Sequence, residues 1–376
     1  MRMEQYPLPI GSANCQYSLT SFHYGQAGAK KVYLQASLHA DELPGMLVLH
    51  HLRPMLEQAE AEGRLQCEIV VVPVANPIGL GQTFMHDQMG RFDFASGTNF
   101  NRSFPDLSER LIASLADSLS DNAQHNMRLI RAGMRQLLEA TECRTPLDGM
   151  RIALMRMAHD ADIVLDLHCD CEAVLHIYAS LDHVAEAELL GRHLGARVIL
   201  IADAIGGGCF DEMLFKPWLR LREHFGAEFP VPQSCFASTV ELRGEQDVSH
   251  QLASADALGI YRYLCSSGMI ADGTADAALA TLAAVCAPTP LTGSVTAYAP
   301  ESGVMSYVAR PGDALQLGDV ICDIVDPLTG RTHTVTSPID GVMYSRVIFR
   351  YATRGMGLAK IAGKLSQRSE GSLLGP

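Results

Sequence analysis

The stretch Gln35-Ala36-Ser37-Leu38-His39-Ala40-Asp41-Glu42 joins a predicted strand to a predicted helix. An apolar strand from Lys31 to Ala36 leads into it, and a helix begins after it, around Leu43 and Pro44. In open α/β sheets, ligand sites lie at the carboxyl ends of strands, where turns of this kind occur. A histidine and a glutamate in one such turn supply two of the three protein ligands of a typical catalytic zinc site. The turn is therefore a candidate metal site.

The composition indicates an ordinary soluble globular protein. The chain has 376 residues, of which 48% are hydrophobic and 19% charged, enough for one large domain and a small one. The formal net charge of −13 argues against nucleic acid and against an anionic membrane surface as partners. It does not argue against a small anionic substrate, because a few arginines can reverse the field inside a cleft. The sequence is compatible with a homo-oligomer.

The sequence predicts a cytoplasmic protein. The first residues contain no apolar signal core, and no window approaches the roughly 20 apolar residues that a membrane span needs. The ten cysteines are scattered. Cys169 and Cys171 are separated by one residue, which is too few for the usual zinc motif, so the cysteines are interpreted as mostly reduced thiols.

Strand and helix patterns alternate along the first three quarters of the chain, which predicts an α/β fold with a mixed, largely parallel sheet flanked by helices. The segment Asn76–Phe104 has little periodicity, and a loop of this length is usually functional. Residues 206–208 are interpreted as a flexible glycine loop, and residues 271–287 as an alanine-rich connection. The predicted strands are 30–36, 67–74, 163–168, 174–179, 196–201 and 236–242, and the predicted helical regions are 43–62, 105–161, 184–194 and 247–266.

The pattern changes near residue 289, which predicts a catalytic domain over 1–288 and an all-β domain over 289–376. The later part contains an internal sequence repeat, which we call the internal echo. Pro300-Glu301-Ser302-Gly303-Val304-Met305 is matched 38 residues on by Pro338-Ile339-Asp340-Gly341-Val342-Met343. An echo of this kind favours two similar β halves that form a small barrel or sandwich.

His39, Glu42 and His168 are the candidate metal ligands. His168 ends the buried strand Ile163-Val164-Leu165-Asp166-Leu167-His168, so it can meet the first turn at one edge of the sheet. Asp41 competes with Glu42 as the carboxylate ligand, but it is interpreted as a cap of the following helix. Asp166 points to the same strand face as His168. It either orients that histidine or is a solvated or capping residue.

Three further side chains are candidates for catalysis or substrate binding. Glu241 lies at the end of an apolar strand, where it needs either a task near a metal or a salt bridge, for instance to Arg243 or Arg102. Asn101 and Arg102 are adjacent in the long loop and can grip a carboxylate. Arg91 can hold a second anionic group or the oxyanion of a tetrahedral intermediate.

This order of motifs, His-x-x-Glu, Asn-Arg, Asp-Leu-His and a strand-end Glu, resembles the succinylglutamate desuccinylase/aspartoacylase family of zinc carboxypeptidase-like hydrolases. The resemblance covers residues from about 30 to 360. It implies one Zn²⁺ per chain on His39, Glu42 and His168, with Glu241 as general base and acid. It also implies that Asn101 and Arg102 bind a substrate carboxylate and that Arg91 polarises the scissile carbonyl.

The expected function is therefore the hydrolysis of an N-acyl amino acid or a related small carboxylate by metal-activated water. The rival hypotheses are a zinc carboxypeptidase for short or unusual peptides and a non-catalytic metal-binding protein. The β domain resembles a biotinyl/lipoyl barrel, but its hairpin 326–330 has no lysine, so a carrier domain is rejected. Three features depart from the family pattern: Ala40 replaces the usual glycine, Arg91 lies further from Asn101 than expected, and the helical stretch from Asp106 to Ala161 is long.

Overall fold

The computed structural model describes residues 1–28, 30–203, 206–272 and 286–367, and within these ranges a nine-stranded mixed sheet forms the centre of the protein. Its strands in chain order are β1 (Arg2–Pro7), β2 (Ser18–Tyr24), β3 (Lys31–Ala36), β4 (Glu68–Val72), β7 (Ile163–Asp170), β9 (His176–Ala179), β10 (Val198–Ile201), β11 (Phe236–Gly244) and β12 (Thr289–Pro290). They are arranged in the order β1-β2-β4-β3-β7-β11-β9-β10-β12, and parallel pairing joins β4, β3, β7 and β11 at the middle. The predicted α/β class is confirmed.

Two helical layers cover the sheet because its central strands are apolar on both faces. In β3, Val32 and Leu34 pack into one core and Tyr33 into the other, as the twofold alternation of a strand requires. The helices of the first layer are α1 (Pro44–Ala61), α6 (Val184–Leu194) and α8 (His250–Ser266). Those of the second layer are α3 (Ser108–Leu115), α4 (Ala123–Glu139), α5 (Pro146–Ala158) and α7 (Phe210–Phe225).

The sequence-based prediction omitted one helix of the second layer, α7. Its pattern is interrupted by Pro217, and its N-cap residue Cys209 makes no side-chain capping hydrogen bond, so the usual start signal is missing. The long loop was predicted correctly in outline. Between residues 76 and 104 its regular elements are one helical turn, α2 (Pro77–Leu80), and a small hairpin of β5 (Thr83–Phe84) and β6 (Asp87–Gln88).

The strands after residue 293 form two antiparallel sheets, which agrees with the all-β character predicted for this part of the chain. One sheet contains β13 (Ser294–Tyr298), β15 (Ala314–Leu315), β18 (Gly341–Arg346), β20 (Gly357–Ala362) and the outlying β8 (Glu172–Ala173). The other contains β14 (Gly303–Tyr307), β16 (Val320–Val325), β17 (Thr332–Thr336) and β19 (Tyr351–Ala352).

The internal echo has a structural basis at its two glycines. A Cβ on Gly303 would lie 2.4 Å from the carbonyl oxygen of Val325, and one on Gly341 would lie 2.4 Å from that of Ala362. The two copies therefore need glycine for the same reason, a strand that crosses closely over its partner.

Each part of the chain contributes one strand to a sheet of the other part. β12 pairs with β10 at the edge of the central sheet, while β8 pairs with β18 in the C-terminal sheet. The predicted domain boundary at 288/289 stays a prediction, and most of the predicted alanine-rich connection, residues 273–285, lies outside the described residues. Among the described helices, none has the length and hydrophobicity to cross a bilayer.

Candidate metal centre and active site

The turn after β3 is held in place by the long loop. Ala40 donates its backbone N–H to the carbonyl oxygen of Gly90 at 2.9 Å, and a Cβ on Gly90 would lie only 2.2 Å from the backbone nitrogen of Asp41. Ala40 is fully buried and is not among the residues with positive φ. Alanine therefore fits the position where the family usually has glycine, because the backbone there does not need the left-handed region.

The three candidate ligands meet in one buried cluster. His39, Glu42 and His168 each offer an atom, and these atoms all lie within 4.8 Å of one another. The Nδ1 atoms of His39 and His168 lie 2.8 Å from Oε1 and Oε2 of Glu42, respectively. Two imidazoles and one carboxylate are the donor set of many catalytic zinc sites, so the residues fit such an ion.

Both histidines present the same ring nitrogen to the cluster because their other nitrogen faces an oxygen atom outside it. Nε2 of His39 lies 2.8 Å from Oδ1 of Asn99, and Nε2 of His168 lies 3.0 Å from Oδ2 of Asp166. At His39, an Nε2–H donated to Asn99 leaves the lone pair on Nδ1 directed at the cluster. At His168 the contact with Asp166 is an ion pair without hydrogen-bond geometry, and it places negative charge beside Nε2. Asp166 thus occupies the orienting position, one of the two roles that the sequence left open for it.

The electrostatics of the cluster keep Glu42 ionised. Burial alone would raise its pKa, but His39 and His168 outweigh this effect and hold the pKa well below the ordinary value. The carboxylate also accepts a hydrogen bond from the backbone N–H of Cys169 at 3.0 Å. The ring of His168 is buried, which disfavours its charged form, but Asp166 and Glu42 raise its pKa well above the ordinary value.

The predicted capping role of Asp41 is wrong. The N-cap residue of α1 is Leu43, and it makes no side-chain capping hydrogen bond. The Oδ1 atom of Asp41 is instead enclosed without a hydrogen-bond partner among the described residues. Burial and the neighbouring Glu42 raise the pKa of Asp41. The turn closes through the backbone, because Glu42 N–H bonds to the carbonyl of His39, so the helix begins two residues later than a cap at Asp41 would allow.

Glu241 lies beside the ligand cluster. It is paired in register with His168 on the neighbouring strand, and it lines the same cavity as all three candidate ligands. Its Oε2 atom is enclosed and has no hydrogen-bond partner among the described residues. Arg243, one of its candidate salt-bridge partners, pairs with Asp256 instead.

The pKa of Glu241 is suited to exchange of a proton near neutral pH. Burial, together with the carboxylates of Glu42 and Asp170, raises this pKa to about 8, against the opposite effect of His168 and Lys360. A carboxyl group in this range can both accept and return a proton.

Asn101 and Arg102 line the same cavity from the far end of the long loop. The Oδ1 atom of Asn101 accepts the backbone N–H of Phe210 at 2.8 Å, and its Nδ2 lies 3.5 Å from Nε2 of His168. Arg102 donates from Nη1 to the backbone oxygen of Asn101 at 2.8 Å. The glycine loop packs behind it, since a Cβ on Gly207 would lie 2.8 Å from Cδ of Arg102.

Arg91, in the long loop, contacts the ligand cluster directly. Its Nη1 lies 3.3 Å from Oε1 of Glu42 and 3.3 Å from Nδ1 of His39, and its side chain is 44% exposed. The guanidinium group therefore lines the cavity in spite of the long spacing between Arg91 and Asn101 in sequence.

Lys360 is a cavity residue that sequence reasoning missed. It lies on β20 of the C-terminal region, and its Nζ is 2.7 Å from Oδ2 of Asp170 at the end of β7. Burial would raise the pKa of Asp170, but Lys360 outweighs it and holds that pKa well below the ordinary value. A lone lysine in the apolar strand Gly357–Ala362 was the available signal, but it gave no indication of which surface it would meet.

The chain is similar to proteins of one known family. The catalytic-domain model of the succinylglutamate desuccinylase/aspartoacylase family matches residues 28–148. A protein of that family from Shewanella amazonensis SB2B has 25% sequence identity and a TM-score of 0.83, covering 97% of this chain and 99% of its own. A second one, from Shewanella frigidimarina NCIMB 400, has 25% identity and a TM-score of 0.83, with coverages of 98% and 99%.

A more distant structure shows the fold alone. The succinylglutamate desuccinylase/aspartoacylase from Rhodobacter sphaeroides is 16% identical, with a TM-score of 0.66 and coverages of 97% and 95%. None of the curated protein sequences is a significant match. The resemblance expected from the motifs is confirmed: residues 28–148 match the catalytic-domain model of the succinylglutamate desuccinylase/aspartoacylase family, and the chain is similar over 97–98% of its length to the two Shewanella proteins of that family.

Proposed function

We propose that this protein is a zinc-dependent deacylase that hydrolyses the amide bond of an N-acyl amino acid or a related small carboxylate. The observation that carries the proposal is the position of Glu241. A carboxylate oxygen that is enclosed and without a hydrogen-bond partner is unfavourable, and here it lines the cavity that also contains His39, Glu42 and His168. A general base for hydrolysis belongs in such a place.

His39 and His168, through Nδ1, and Glu42, through its carboxylate, would hold the zinc ion. When bound, zinc supplies a Lewis acid that lowers the pKa of a water molecule and polarises a carbonyl group. Asn99 and Asp166 keep the two imidazole rings in the tautomer and orientation that this donor set requires.

Glu241 moves the proton. It accepts a proton from the attacking water on its carboxylate while the water oxygen forms a bond to the amide carbon. It then returns that proton to the amide nitrogen as the carbon–nitrogen bond breaks, so the products are a carboxylic acid and an amine, and the acid then passes its proton to the amine or to water. The raised pKa of Glu241 supports both transfers.

Three polar side chains bind and orient the substrate. Arg102 and Asn101 anchor its carboxylate, because a guanidinium fork and an amide donor match two carboxylate oxygens. Arg91 donates to the carbonyl oxygen as negative charge develops there. All three line the cavity that contains the candidate ligands, which supports a single site for a small anionic molecule.

The experiment combines metal analysis with a substrate panel. Purified protein should contain about one zinc per chain, lose activity with a chelator and regain it when zinc is added. The panel should compare N-acyl amino acids with short peptides under the same conditions. Hydrolysis of acyl amino acids supports the proposal, and preference for peptides would favour the carboxypeptidase hypothesis. A metal-replete protein that hydrolyses neither class would contradict both.

A further inference from the structure

The cavity that contains Glu241 opens into a second, larger groove whose walls are mostly apolar. We propose that this outer groove binds the acyl group of the substrate, and that the acyl group is therefore a large apolar one, such as an aromatic or medium-chain acyl, rather than acetyl or succinyl. The inference rests on the proposed deacylase function and specifies its substrate class.

The outer groove is continuous with the inner cavity. Both are lined by the same collar of side chains, namely Glu42, Arg91, Asp170, Thr296 and Lys360. The inner cavity has a volume of about 130 Å³ and the outer groove about 560 Å³. Small-molecule sites usually occupy roughly 300–1,000 Å³, so the inner cavity alone is small for a complete substrate.

The walls of the outer groove expose large apolar side chains to water. Beyond the collar they come from the long loop and from the loop after β18, and they are Met89, Phe92, Phe94, Val347, Ile348 and Phe349. The charged side chains of Asp41, Glu245 and Arg346 also line the groove. Phe94 is 59% exposed and Phe349 is 66% exposed. A cluster of exposed aromatic side chains beside a cavity is typical of a surface that buries an apolar ligand.

The geometry of the two spaces fixes which part of the substrate lies in each. Asn101 and Arg102 line the inner cavity and not the outer groove, so the anchored carboxylate lies inside. Glu42 belongs to both spaces, and it is also one of the candidate ligands beside which the amide must lie. When the carboxylate belongs to the amino acid that leaves, the acyl group extends from the amide through the collar and into the groove.

The test compares acyl groups on one amino acid with zinc-loaded full-length protein. The substrates are N-acetyl-, N-succinyl-, N-benzoyl- and N-octanoylglutamate, together with N-acetylphenylalanine. We expect kcat/KM for the benzoyl and octanoyl compounds to exceed that for the acetyl compound by about 10-fold or more, the discrimination that apolar contacts commonly provide.

Two variants test the walls themselves. In Phe94→Ser and Phe349→Ser, the ratio of kcat/KM for octanoyl over acetyl substrate should fall by about 10-fold. The matched control is Leu328→Ser, at a residue that is 93% exposed in the hairpin between β16 and β17 and outside both spaces, and its ratio should equal that of the wild type. Thermal unfolding of each variant verifies that it is folded.

The outcomes separate the inference from the function on which it rests. Faster hydrolysis of the acetyl or succinyl substrates would overturn the inference but not the proposed function. The same holds if both phenylalanine variants keep the wild-type ratio of kcat/KM for octanoyl over acetyl substrate. A preference for N-acetylphenylalanine over the N-acylglutamates would show that the groove binds the side chain of the amino acid, and it would overturn the inference as well. Dissociation of an oligomer in either variant would assign the groove to a second copy of the chain. Failure to hydrolyse any amide would overturn the proposed function and this inference with it.

Discussion

Glu241 and His168 are paired in register on the adjacent parallel strands β11 and β7. Residues paired in this way point to the same face of a sheet, so the register alone sets the candidate base beside a candidate ligand. Thr239 and Asp166 are paired two residues earlier on the same strands. The strand pair therefore carries the candidate base, one candidate ligand and the carboxylate beside that ligand.

Replacement of Glu241 with Gln should lower kcat by about 1,000-fold or more, while the zinc content stays near one per chain. Glutamine has nearly the same shape but cannot accept the proton, and general acid–base catalysis is commonly worth about 10²–10⁴-fold. Steady-state kinetics and metal analysis of the same preparation measure both quantities. Glu228→Gln, at an exposed residue, is the matched control. Near-normal turnover in Glu241→Gln would rule out the assigned role.

The Asp166→Asn variant should bind zinc about 10–100-fold more weakly, the usual effect of losing the acceptor behind a ligand histidine. Its amide can present an N–H to Nε2 of His168, which favours the wrong tautomer. Competition with a chelator measures the affinity, and Asp121→Asn, at an exposed residue, is the control. Equal affinities for Asp166→Asn and wild type would show that Asp166 does not orient the ring.

Gly207→Ala should raise KM by about 10-fold with a smaller change in kcat, because the added Cβ would displace Arg102 and weaken substrate anchoring. Gly195→Ala is a matched control. Both glycines have a positive φ, +83° and +69°, so both variants incur a left-handed backbone cost of roughly 1–2 kcal/mol. A Cβ on Gly195 would contact nothing within 4 Å. If both variants changed KM equally, the contact with Arg102 would not be the cause.

Lys31→Met should lower the free energy of unfolding at pH 7 by about 1–2 kcal/mol, because it removes the closer of the two cationic partners that a partly buried carboxylate has among the described residues and leaves only Arg135 at 3.8 Å. Lys31 Nζ lies 2.7 Å from Oδ1 of Asp160, and the two side chains are 16% and 25% exposed. Burial would raise the pKa of Asp160, but Lys31 outweighs it, so the folded-state pKa is lowered.

The sign of this shift fixes the pH dependence. A lowered pKa stabilises the fold at pH values above the unfolded-state pKa of about 4, and this stabilisation is lost as the pH falls through the folded-state pKa. The difference in unfolding free energy between wild type and Lys31→Met should therefore be constant above pH ~5 and shrink in acid. Urea unfolding across this range measures it, with Lys364→Met as a surface control. A difference that grows in acid would contradict the assignment.

The sequence by itself determined the local elements and the identity of the candidate ligands. Continuous apolar runs such as Ile69–Val72 are typical of buried parallel strands, and the 3.6-residue period identified α6 at its observed limits, Val184–Leu194. The sequence also predicted that His39 and Glu42 face a common point, because two residues three positions apart in one tight turn can do so whatever the rest of the chain adopts.

Only the tertiary structure decided what surrounds those residues. Asn99 faces Nε2 of His39, Asp41 is left without the expected capping bond, and Gly207 packs behind Arg102. These contacts join positions that are far apart in sequence or depend on strand register, and no local pattern encodes them. The same holds for Lys360 on β20, which lines the cavity, and for Phe349 in the loop between β18 and β19, which lines the outer groove. Both depend on the packing of the C-terminal sheet against the end of β7. The shape of the cavity and of the outer groove is therefore a property of the fold, whereas the candidate ligand set His39, Glu42 and His168 was predicted from the sequence.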